Sequence, residues 1–170
     1  MSGGDDPGDV LEYLAQAEDA FEEAGRGIPT KEDGIAPGGS WETQLTKACK
    51  LLHVAETLRE RNGHYTAVIE LCFGVIERSI EAYAVGMAGN EVDDFRDHEY
   101  SYERAHQTGL FEESTASALM DLYSENRTES YYGGGRPTDH QAAAMTSLAR
   151  VVHDYAVSQI HEGGICICDN

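Results

Sequence analysis

Between Asn126 and His140 the chain gathers the side chains best suited to handling an anion: Arg127, Tyr131, Tyr132, Arg136 and His140, with Gly133, Gly134 and Gly135 among them. Arginine carries a permanent charge on a planar fork that matches phosphate oxygens. Glycine lets a backbone N–H approach a ligand closely. A helix N-terminus predicted at Thr138 adds unpaired N–H groups that favour a negative charge. The chain has only 12 Lys plus Arg, so two arginines in one short segment point to phosphate recognition. The same residues admit a structural reading, in which Arg127 pairs with a carboxylate at a helix end and the glycines turn the chain. Residue types alone leave both open.

Other chemistries find no pattern. GxxxxGK[ST], GxGxxG, HExxH, CxxC and GxSxG are all missing, so neither a nucleotide cofactor nor a motif-bearing hydrolase is predicted. His98 and His106 lie two turns apart with Asp97 and Glu99 beside the first. Histidines on a short polar helix are expected to be solvated, and no metal site is predicted. Cys49 and Cys72 fall on apolar helix faces and read as core residues. Cys166-Ile167-Cys168 has the wrong spacing for a zinc knuckle and lacks a second pair, so it reads as a frayed end.

The elements that must position these groups are helices. Val10, Leu14, Ala17, Phe21 and Ala24 recur at alternating steps of four and three, a narrow stripe on a helix over 9–24. Residues 25–40 hold five glycines and two prolines and form a linker. Apolar spacing predicts helices over 41–61, 65–87, 98–107 and 112–125, with 126–137 as a turn. Asn62-Gly63 caps the first of these. Thr138 with Gln141 makes a capping box opening a last helix to about His161. No run alternates with period two for long enough to make a strand. The expected fold is all-α, a four- to five-helix up-down bundle with an extra N-terminal helix. Its divisions are 1–40 (acidic helix and linker), 41–162 (bundle) and 163–170 (tail).

There are 31 Asp plus Glu, and the net charge is −19. Three lysines against nine arginines, with this acidity, predict a cytoplasmic protein of a salt-in archaeal halophile. At ~1 M salt the Debye length is about 3 Å, so crowded carboxylates repel little. The charge argues against coating nucleic acid or membrane by bulk attraction, while leaving room for a small cationic site. No apolar run approaches the ~20 residues that span a bilayer, so no membrane partner is expected.

The run Lys47 to Leu52, then Ala55-Glu56, Gly63 to Ile69 and Ile76 to Ala82 resembles the first helical hairpin of HEPN domains. Asp97-His98-Glu99 with Phe111, and Leu119 to Leu122 leading into Arg127 and Tyr131-Tyr132-Gly133, resembles their second half. The similarity covers about residues 42–160. It implies a homodimer whose motifs face one another, and RNA or a nucleotide as ligand. It also implies a metal-independent ribonuclease of a toxin–antitoxin or defence system, with a nucleotidyltransferase antitoxin as partner.

Active members of that family carry Arg, a polar residue and then His five to seven positions after the Arg. Here Arg127 matches the arginine, but Tyr132 stands where the histidine would first fall. A phenol titrates near ~10, a poor base at neutral pH but able to donate a proton or stack on a nucleobase. His140, beyond the glycines, is the substitute imidazole. The expected catalytic residues are therefore Arg127, Tyr132 and His140, with Asn126, Tyr131, Gly133 and Arg136 as ligand-binding residues and no cofactor. The alternative is a non-catalytic dimeric interaction module.

Overall fold

The computed structural model describes residues 7–22, 30–38, 40–131 and 134–160, with the side chains of Pro7 and of 128–131 left aside. The chain divides into two units, Met1–Asp33 and Gly34–Asn170. The first contains α1 (Pro7–Phe21). It opens on a proline whose missing N–H costs nothing at a first helical position. Its Val10, Leu11, Tyr13, Leu14 and Phe21 are all exposed.

Among its described residues the second unit is a bundle of five helices: α2 (Trp41–Glu60), α3 (Tyr65–Ala88), α4 (His98–Gln107), α5 (Glu113–Tyr131) and α6 (Asp139–Gln159). No strand occurs among the described residues. A tight turn joins α2 to α3, with Asn62 at φ 53° and Gly63 at φ 85°, backbone that Asn and Gly adopt most readily. The helix α3 is central, packing against α2, α4 and α6. Its buried residues face several directions, among them Val68, Cys72, Phe73, Val75, Ile76 and Ile80. Leu52 from α2, Tyr102 from α4, Leu119 from α5 and Met145 from α6 complete the main core. Truncating a fully buried leucine such as Leu52 would cost about 2–5 kcal/mol.

The capping box at Thr138 forms as its sequence predicts. The Thr138 hydroxyl accepts from the Gln141 N–H at 3.1 Å, and the Gln141 side chain accepts from the Thr138 N–H at 2.9 Å. The segment after Glu125 does not turn: α5 runs on to Tyr131. Asn126, Arg127, Thr128, Glu129 and Ser130 are polar but include no Gly or Pro to stop a helix, so Arg127 lies inside α5.

The connection from α3 to α4 is stitched by side chains. Gly89 closes α3 at φ 74°, and a 3-10 turn follows at Val92–Asp94. The Arg104 guanidinium donates twice to Asn90 Oδ1, at 2.9 and 2.7 Å. Asn90 Nδ2 and the Glu91 N–H both donate to the Asp94 carboxylate, at 2.9 Å each. These bonds hold Asp94 below the usual carboxylate range, the Asn90 contribution being the larger.

Candidate functional site

On the α3–α4–α5 side of the bundle, an acidic side chain sits inside an apolar helix. Glu77 is 4% exposed, and both its oxygens are occupied. Oε1 accepts from the buried Tyr102 hydroxyl at 3.0 Å, and Oε2 lies 2.7 Å from His98 Nδ1. Burial, then the adjacent Glu77 carboxylate, raises Tyr102 far above the usual phenol range, so it remains a donor.

His98 is the first residue of α4, placed there by Asp97, whose carboxylate accepts from the Glu99 N–H at 3.1 Å. The imidazole is 60% exposed although its Nδ1 is held by a carboxylate that is 5% exposed. Nδ1–H donates inward, which leaves Nε2 as the nitrogen able to exchange a proton with a ligand. The solvated histidine expected at this position is therefore an oriented one.

Tyr123 of α5 connects this pair to Arg127. Its ring centroid lies 5.9 Å from that of His98 and 5.5 Å from that of Tyr102. One turn on, Arg127 Nη1 donates to the Tyr123 hydroxyl at 2.7 Å, with the guanidinium carbon 6.0 Å from the ring centroid. Burial raises the Tyr123 phenol despite the lowering effect of Arg127, so the hydroxyl keeps its own proton to donate. Arg127 itself is exposed. An oriented imidazole, a protonated phenol and a guanidinium thus share one aromatic wall.

Phe73 packs edge-on against Tyr123 at 5.5 Å and lines a neighbouring cavity of about 490 Å³ between α3, α5 and α6. Ile69, Met145 and Leu148 form its apolar floor, and Asn126, Arg136 and Gln141 bring polar groups to it. Two of the predicted ligand-binding residues, Asn126 and Arg136, therefore meet at one cavity. His140 is exposed at the start of α6, its N–H bonded to the Asp139 carboxylate at 2.9 Å. Tyr132, Gly133 and the side chain of Tyr131 lie outside the described residues, as do Cys166 and Cys168.

A second polar set is buried deeper. The His153 ring of α6 lies with Nδ1 2.9 Å from Ser79 Oγ and Nε2 3.3 Å from Cys49 Sγ. Ser79 donates its own proton to the Val75 carbonyl at 2.7 Å, so it accepts from His153 Nδ1–H. The expected plain core role of Cys49 is incomplete: it is buried and disulfide-bonded. Among the described residues no group of three or more His, Cys, Asp or Glu is arranged to hold a metal ion.

Sequence reading missed Glu77, His98, Tyr102 and Tyr123 as a unit. One signal was available: Glu77 and Glu81 lie one turn apart within the most apolar helix, where an unpaired carboxylate would be costly.

Fold and site together define a small all-α domain presenting a carboxylate-held histidine beside a helix-borne arginine. The chain belongs to the family described as Domain of unknown function (DUF8154), which matches residues 5–168. No curated protein and no solved structure matches it. No helix among the described residues is long and apolar enough to cross a membrane.

Proposed function

We propose that this bundle is a HEPN-type domain that binds RNA and cleaves it as a metal-independent ribonuclease, with His98 supplying the imidazole expected of His140 and the proton transfer expected of Tyr132. The observation that carries the reading is that the Glu77-held His98 and Arg127 both contact the Tyr123 ring. In the reaction, the ribose O2′ attacks phosphorus while its proton passes to Nε2 of His98. The P–O5′ bond breaks, O5′ takes a proton from solvent, and a 2′,3′-cyclic phosphate remains. The Arg127 fork steadies the charge on the phosphoryl oxygens, and the Tyr123 hydroxyl donates to the same group. Glu77 holds the imidazole in the productive tautomer without touching substrate. The adjoining cavity, with Asn126 and Arg136, takes a flanking nucleotide. As in the resembled family, the domain works as a homodimer held in check by a nucleotidyltransferase antitoxin.

The test is cleavage of an end-labelled RNA in multimolar KCl. Wild type should yield cyclic-phosphate ends. His98→Ala should lower the rate about 10²–10⁴-fold, the usual contribution of a positioned acid–base group. Arg127→Ala should abolish binding, and His140→Ala should leave the rate unchanged. An inactive wild type that also fails to bind RNA overturns the reading, as does a His98→Ala variant of full activity.

A further inference from the structure

The helix α1 carries a second, separate design. Val10, Leu14, Ala17 and Phe21 follow one another at steps of four, three and four, the a/d spacing of a coiled-coil seam. Val10 is 68% exposed, Leu14 51% and Phe21 89%. Asp9, Glu12 and Asp19 all fall on the opposite, outward positions. A chain of net charge −19 would resist meeting itself almost anywhere, yet here the seam is kept clear of carboxylates.

The flanking positions choose the partner. Tyr13 and Glu18 occupy g and e, five residues apart, and in a parallel, in-register pair g of one helix faces e of the other in the next heptad. Each Glu18 carboxylate then meets a Tyr13 hydroxyl, an acceptor against a donor, at both edges of the pair. An antiparallel pair of full overlap would lose this contact and set each Glu18 carboxylate against Leu11 of the other helix, an ion against an apolar side chain. We infer that α1 is a self-docking element: it pairs with α1 of a second copy of this chain as a short parallel two-stranded coiled coil. The arrangement is independent of the proposed ribonuclease site, and α1 lies in the other compact unit.

Cysteine cross-linking in the full chain tests it, in 3 M KCl under mild oxidation, with each bridge located by mass spectrometry. Leu14→Cys and Ala17→Cys, made separately, should shift most of the protein to a dimer bridged at the new position. Glu12→Cys and Ala15→Cys, on the outward face, should not. Adding Leu14→Asp to Ala17→Cys should abolish the bridge, because a carboxylate then stands in the seam, while circular dichroism confirms that the bundle stays folded. Equal cross-linking at inward and outward positions overturns the inference, and so does a failure to bridge at 14 and 17. Bridging at one of these two positions alone indicates antiparallel or staggered pairing and equally overturns it.

Discussion

The Glu77 carboxylate reaches His98 Nδ1 at 2.7 Å and Tyr102 Oη at 3.0 Å, so one buried acid fixes both an exposed imidazole and a buried phenol. In the proposed reaction its role is positional, which separates it from His98 in a kinetic experiment. Glu77→Gln can place an amide N–H where His98 needs an acceptor, and the ring then loses its preferred tautomer. The expected outcome is a fall in kcat with KM nearly unchanged. A KM effect alone would assign Glu77 to substrate binding. Tyr102→Phe leaves one Glu77 oxygen unbonded and should destabilise the fold by about 1–3 kcal/mol in urea unfolding.

Glu81 is 2% exposed, and burial raises its carboxyl above the ordinary 4.5 despite the Arg78 guanidinium at 2.7 Å. A raised folded-state value means the native protein holds this proton more tightly than the unfolded chain. The contribution of Glu81 to stability is therefore fully present below 4.5 and declines as pH rises through the folded value. Melting curves of wild type and Glu81→Gln in the same high-salt buffers should show wild type losing ground to the variant as pH rises from 4.5 to 8. A difference independent of pH would contradict this.

Burial pushes the Cys72 thiol up to about 11. The thiolate is the reactive form, so little of it exists at pH 8. Iodoacetamide at that pH should leave the Cys72 peptide unmodified in folded protein and label it fully once the chain is unfolded. Rapid labelling of the native state would show that the α3–α6 contact opens readily.

Two helical glycines in α3 should respond oppositely to alanine. At Gly86 a Cβ would lie 3.1 Å from Trp41 Cγ and 3.3 Å from its Cβ, both part of a bulky, fixed group. The helix-propensity gain of about 1 kcal/mol is then outweighed by overpacking of about 1–3 kcal/mol. At Gly74 the contact is Leu51 Cδ1 at 3.2 Å, the tip of a side chain that can swing aside. Urea midpoints should fall for Gly86→Ala and hold or rise for Gly74→Ala.

The helices were legible because their cores are periodic and their ends carry signals: Asn62-Gly63, and Thr138 with Gln141. The end of α5 was misjudged because polarity resembles a turn when no glycine interrupts it before position 133. Arg127 could be singled out from its type, but not its partner: Tyr123 reads simply as an inward apolar residue. The Glu77–His98 pair joins residues 21 apart, and neither has a local motif. His153 escaped for the same reason, since its Ser79 and Cys49 contacts span 74 and 104 positions.

The clasp of Arg104 on Asn90, with Asn90 on Asp94, makes the 89–97 connection a strut of fixed length. Surface loops ordinarily tolerate added or removed residues. Here a one-residue insertion would rotate or displace the start of α4, and His98 is its first residue, so the imidazole would leave Glu77. Loop length at this point is thus a control on the candidate site that leaves every residue of the site unchanged. Grafting or engineering on this scaffold should place additions elsewhere and keep these nine residues as they are.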